Sequence, residues 1–212
     1  FNLRLRVTIN TDDPSVSAAL LFIEHYYADP MYDRPQSPRP LLMKVSLTQP
    51  HYPFLTDAER FSYYLNRVEP FPDEHLPPTP TMAERRVVAG EEVEWREIRR
   101  ALAAYYGMID RLDEMFGIVL DRLEHLGQNL DDWIIIYTSD HGDMMGEHGI
   151  WEKGSMYDGS ARVPLIIRWP TRFDGGRVVR ENVNLCDLFA TLCELTGVPA
   201  PERLDSRSMV PL

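Results

Sequence analysis

Apolar residues recur at steps of three and four over the longest patterned stretch of this chain, from Glu91 to Leu126. There Ile98, Leu102, Tyr105, Ile109, Leu112, Phe116, Val119, Leu123 and Leu126 fall on one side of a 3.6-residue turn. The spacing predicts a long amphipathic helix, and Gly127 supplies the residue that ends it in a left-handed conformation. A second helix is predicted from Asp13 to about Ala28, with Val16, Ala19, Leu20, Ile23 and Tyr27 on one face, Asp13 as the N-cap and Pro14 as the first helical residue. A third runs from Asn184 to Thr196 and closes at Gly197.

Strands read differently. Leu3 to Ile9 alternates apolar with polar residues, and Leu41 to Leu47 gives a second strand that Pro50 and Pro53 bring to an end. The apolar run Trp133 to Thr138 predicts a buried strand following the long helix, and Arg162 to Trp169 predicts another. Pro30 to Pro40, and Pro70 to Pro80 with its five prolines, are expected to be surface connections. Helices alternating with strands predict an α/β domain, a layered αβα arrangement around a mostly parallel central sheet.

Composition changes this picture little. With 212 residues, 44% hydrophobic and 26% charged, the chain has the make-up of an ordinary globular domain with one sizeable core. No apolar run approaches the roughly 20 residues that cross a bilayer. A net charge of −11 speaks against nucleic acid or an anionic membrane as partner, so an anionic substrate requires a local basic pocket. Cys186 and Cys193 are seven positions apart in a helical pattern. That is about 10 Å along the axis, beyond the ~7 Å reach of a disulfide, and both read as core thiols.

Candidate chemistry gathers behind the strand at Trp133. Asp140 and His141 follow it directly, where open α/β sheets collect their ligands, and Gly142 lets backbone approach a bound group. A carboxylate beside a neutral imidazole suits a divalent cation; the same residues also make an ordinary polar turn. Lys153 stands between turn signals in Glu152-Lys153-Gly154-Ser155, and His51 lies between Pro50 and Pro53 at the end of its strand. Either could be a plain solvated loop residue. His148 is expected to orient its loop, Arg162 to form a buried ion pair, and the Asp12-Asp13 pair to start a helix instead of binding metal.

Two segments carry a resemblance. Tyr137 to Pro170 (YTSDHGDMMGEHGIWEKGSMYDGSARVPLIIRWP) and Pro50-His51-Tyr52-Pro53 resemble the sulfatases of the alkaline phosphatase superfamily. The likeness extends with gaps from about Thr11 to Leu212. It implies an alkaline-phosphatase-like fold and metal-assisted hydrolysis of a small-molecule or carbohydrate sulfate ester, through a formylglycine made from cysteine or serine. It further implies Asp140 and His141 as ligands of a divalent metal, Ca2+, with Mn2+ also suited by an imidazole. His141 stands where the family often has Asn. Lys153 would offset charge on the sulfate and leaving oxygen, and His51 would contact sulfate and act as acid toward the departing alcohol.

The family's Cys-x-Pro-Ser-Arg nucleophile segment does not occur between Asp13 and Leu212. The expectation is therefore that residues 1–212 are the carboxy-terminal part of a sulfatase catalytic domain, truncated at the amino end. The nucleophile would lie upstream of Phe1, the fragment would be inactive alone, and self-association through the truncated sheet is expected. Related readings are a phosphonate or phosphodiester hydrolase, and a non-catalytic metal-binding homologue.

Overall fold

The structure, a computed structural model, describes residues 12–28, 41–69 and 95–212. The expectations for Leu3 to Ile9, for both proline-rich connections and for the first residues of the long helix lie outside these. The described chain forms two compact units: one of the residues up to Trp133 together with His141–Val163, the other of Ile134–Asp140 with Pro164–Leu212.

The first unit is helical. Helix α1 spans Asp12–Ala28, α2 Ala58–Leu65 and α3 Trp95–His125. α1 begins one residue before Asp13, which therefore stands in its first turn instead of capping it. The predicted face is the buried one: Val16, Ala19 and Ile23 pack with Met115, Val119 and Leu123 of α3, and Leu20 and Tyr27 flank them. α3 ends as its glycine foretold. Gly127 takes φ 78°, its N–H donates to Glu124 O at 2.8 Å, and Gln128 N–H donates to Leu123 O at 3.1 Å. These two bonds satisfy carbonyls that a helix end would otherwise leave open.

Of the predicted stripe of α3, Ile98, Leu102, Leu112, Val119 and Leu123 are buried, and the departures lie between them. Met108 and Met115 are buried, whereas Ile109 is exposed and Tyr105 and Phe116 are half-buried. The reason is that α3 packs on two neighbours, α1 near its carboxy end and α2 near its amino end. Ile98, Leu102 and Ala103 of α3 form a second cluster with Val68 and Met145, which Phe54, Phe61, Tyr64 and Trp151 enclose. Gly107 admits the chain before α2, because a Cβ there would lie 2.7 Å from Thr56 Cγ2. Arg60 of α2 reaches Asp57 at 2.6 Å and Glu114 of α3 at 2.7 Å. These pairs face solvent, so they order the contact more than they stabilise it.

Among the described residues no strand is formed at Leu41 to Leu47, yet Met43, Val45 and Leu47 all pack on the first cluster while Leu42 and Lys44 are exposed. Alternation sets which face is buried; a ladder also needs a hydrogen-bonding neighbour.

The second unit holds strands β1, Ile135–Thr138, and β2, Leu165–Arg168, and helix α5, Asp187–Thr196. β1 and β2 pair antiparallel, Ile136 opposite Ile167 and Tyr137 opposite Ile166. The expected parallel pairing therefore does not hold among the described residues, and β1 is half-buried instead of buried. A parallel return needs a long crossover, usually a helix. Between these strands stand only short helical turns, at Glu147–Gly149 and at α4, Asp158–Ala161, and no helix of crossover length. α5 starts three residues later than expected and closes at Gly197, φ 68°. Cys193 is buried, but Cys186 is exposed just before the helix, which corrects its reading as a core thiol.

Candidate active site

His51 is held by a tight turn and by its own ring. Its N–H donates to Thr48 O at 3.0 Å, and its Nδ1 lies 2.9 Å from Tyr52 O. A carbonyl only accepts, so Nδ1 carries the proton and Nε2 is left as the acceptor. The Tyr52 ring lies against the imidazole, centroids 4.4 Å apart.

Lys153 comes from a loop whose shape is set by backbone contacts. Asp143 Oδ1 accepts from Met145 N–H at 3.0 Å and from Glu152 N–H at 3.1 Å, and Met144 N–H donates to Glu152 O at 2.8 Å. Between them Gly146 N–H donates to Ile150 O at 2.9 Å, and Met145, His148 and Glu152 have positive φ. Beyond Lys153, Gly154 N–H donates to Ser160 Oγ at 3.2 Å. Gly142 faces α4: its N–H donates to Ser160 O at 2.8 Å, and a Cβ would strike the Gly159 carbonyl oxygen. The space expected to admit a bound group is thus taken by the protein's own backbone.

These two segments converge. Lys153 Nζ lies 2.7 Å from His51 Nε2, the nitrogen left to accept. A shared core explains the register: Phe54, three residues after His51, and Trp151, two before Lys153, pack in the same cluster with ring centroids 6.4 Å apart. The result is a half-buried ammonium beside an imidazole, an arrangement suited to an anion.

The other two predicted residues are placed differently. Asp140 follows β1 and is exposed, in the second unit. His141 opens the loop in the first, half-buried, with Nδ1 2.8 Å from Gly142 O. Its Nδ1 therefore carries the proton and Nε2 has ligand character, as for a metal-bound histidine oriented by a carbonyl. Among the described residues no group of three or more His, Cys, Asp or Glu side chains is arranged to hold a metal ion.

Three further residues correct or extend the sequence picture. Arg162 pairs with Asp158 at 3.6 Å, but both side chains are more than 80% exposed, because they lie four apart on the outer side of α4. The ion pair is not buried. The His148 ring lies tilted against Tyr157, centroids 4.4 Å apart. Sequence alone assigns no role to Asp143 of the Asp140-His141-Gly142-Asp143 run, although an aspartate accepting from the N–H two residues on is a familiar turn pattern.

Comparison with known proteins brings this geometry into a family. Residues 25–198 match the Sulfatase family. The chain is 33% identical over 186 residues to an arylsulfatase of Clostridium perfringens, covering 81% of this chain and 37% of that protein. It is 34% identical over 187 residues to a choline-sulfatase of Rhizobium meliloti, covering 84% of this chain and 36% of the relative. The chain thus spans little more than a third of the length of these curated relatives. Among solved structures, the phosphonate monoester hydrolase of Agrobacterium radiobacter superposes with a TM-score of 0.74 at 28% identity, over 93% of this chain and 41% of that one. The fold is accordingly of the alkaline-phosphatase-like α/β type, with the described sheet antiparallel. On the extent of these matches, this chain belongs to the sulfatase family.

Proposed function

We propose that the polypeptide carrying this chain hydrolyses sulfate esters of small molecules or carbohydrates, and that residues 1–212 supply the acid and charge-stabilising half of its centre. The observation that carries this reading is the 2.7 Å contact between Lys153 Nζ and His51 Nε2. Sulfate esters are anions whose leaving oxygen gains negative charge as the S–O bond breaks. Lys153 turns its ammonium toward the sulfate and the leaving oxygen, where fixed charge counts most as negative charge develops.

The proton is supplied by His51. In the reacting state the ring has taken a second proton from solvent at Nε2, and Lys153 has left that nitrogen for the sulfate oxygens. Nε2 then donates to the leaving oxygen while Nδ1 keeps its bond to Tyr52 O. The alcohol departs with the Nε2 proton, and the ring returns to the tautomer the structure holds. General-acid catalysis of this kind is worth about 10²–10⁴-fold. The nucleophile, a formylglycine in this reading, comes from outside the chain, which on its own is inactive.

Asp140 and His141 would hold a divalent cation jointly with donors beyond the described residues, and the Nδ1 bond of His141 to Gly142 O suits it to ligation. Calcium is the ion proposed, with manganese also suited to an imidazole. When bound, the cation polarises the sulfate oxygens.

A second reading, phosphonate monoester hydrolysis, is favoured by the structural likeness to such an enzyme. Rates for the whole polypeptide on 4-nitrophenyl sulfate and on 4-nitrophenyl phenylphosphonate separate the two. A higher kcat/KM on the sulfate supports the proposal, a higher value on the phosphonate supports the second reading, and no turnover of either overturns both. His51→Ala should lose about 10²-fold or more in kcat on an alkyl sulfate, but much less on the 4-nitrophenyl ester, whose leaving group needs no proton.

A further inference from the structure

We infer that Asp143 is a positioning residue for Lys153, so that the carboxylate two places after His141 governs catalysis without touching substrate. This rests on the sulfate-ester reading above. A single oxygen, Oδ1, accepts the N–H of Met145 at 3.0 Å and that of Glu152 at 3.1 Å. One bond fixes the loop as it leaves Asp143, and the other fixes it as it returns, at the residue directly before Lys153. The bond from Met144 N–H to Glu152 O, 2.8 Å, runs alongside.

The clamp is needed because the loop resists its own shape. Met145, His148 and Glu152 adopt φ of 49°, 57° and 66°, a region that non-glycine residues enter only at a cost. Glu152 is both strained and next to Lys153. Without the bond to its N–H, its backbone is released toward ordinary φ, and Lys153 swings away from His51. A shift near 1 Å at a catalytic group costs about 10²-fold in rate.

Both bonds use the oxygen as an acceptor of neutral N–H groups, so acceptance and not charge is what the role requires. An asparagine keeps an Oδ1 of the same reach. Asp143→Asn should therefore retain kcat within about threefold, whereas Asp143→Ala should lose at least tenfold in kcat with KM little changed.

A double-mutant cycle on the whole polypeptide, with 4-nitrophenyl sulfate, tests this. If Asp143 acts through Lys153, Asp143→Ala costs at least tenfold when Lys153 is present and less than about threefold in the Lys153→Ala background. Equal losses in both backgrounds would overturn the inference, as would an asparagine variant as impaired as the alanine one. Thermal unfolding checks that each variant is folded, and Asp143→Ser, whose hydroxyl falls short of Glu152, replaces the alanine if it is not. Failure of the wild-type polypeptide to turn over sulfate would sink the functional reading itself, a different outcome from a failed cycle.

Discussion

At position 142 one hydrogen in place of a methyl group decides whether the loop can close. The Gly159 carbonyl oxygen occupies the volume a Cβ would need, and a backbone oxygen cannot rotate away. Gly142→Ala should destabilise the polypeptide by about 1–3 kcal/mol, the range for overpacking a filled site. Thermal unfolding reads this as a lower Tm; an unchanged Tm would show that α4 yields freely. Residues at this scale were unevenly legible. Asp140 and His141 stood out by their place behind an apolar strand, whereas Lys153 and His51 stood out only through the likeness of their segments to a family, since an isolated lysine between turn signals looks like any solvated lysine. What sequence could not show is that residues 102 positions apart meet, because that contact is made by Phe54 and Trp151 packing in a common cluster. Arg162 was misread because an arginine before Val-Pro says nothing about whether the end of a one-turn helix faces solvent.

Among the elements, periodicity was read well where one partner decided the burial and less well where two did. The face of α1 is the predicted one because α1 packs on α3. α3 itself meets α1 and α2 at different heights, and so buries Met108 and Met115 in place of Ile109. Strand direction was not legible at all, since an apolar run has the same pattern whichever way its neighbour points. α5 carries a pH dependence that follows from Asp187 in its first turn. The Asp187 carboxylate accepts the N–H groups of Arg207 and Asn184, both at 3.0 Å, and Thr191 Oγ1 accepts from Met209 N–H at 2.9 Å, so the helix holds the segment from Arg207 to Met209 in place. These bonds, that from Arg207 N–H foremost, hold Asp187 below the usual carboxylate range. A lowered folded-state pKa adds stability that is full above the unfolded value of about 3.9 and is lost as pH falls through the folded one. Asp187→Ala should thus lower Tm at pH 7, with the gap to wild type narrowing below about pH 4. A gap independent of pH would show that the carboxylate acts by shape alone.

For the whole molecule, charge frames the chemistry. A net charge of −11 repels anions at long range, but salt at 0.15 M screens it beyond about 8 Å. On the proposed reading, recognition of a sulfate ester then falls to groups within reach of the ligand, and Lys153 beside His51 is the pair proposed for it. The family match covers residues 25–198, and the chain spans 37% of the arylsulfatase it resembles, so the catalytic test belongs to the whole polypeptide. The most direct measurement is kcat/KM for 4-nitrophenyl sulfate with and without the Lys153→Ala substitution, on protein shown to be folded. Removing a fixed charge from the leaving oxygen should lower it by about 10²–10³-fold. A Lys153→Ala polypeptide as active as the wild type would contradict the assignment of this pair to sulfate-ester hydrolysis.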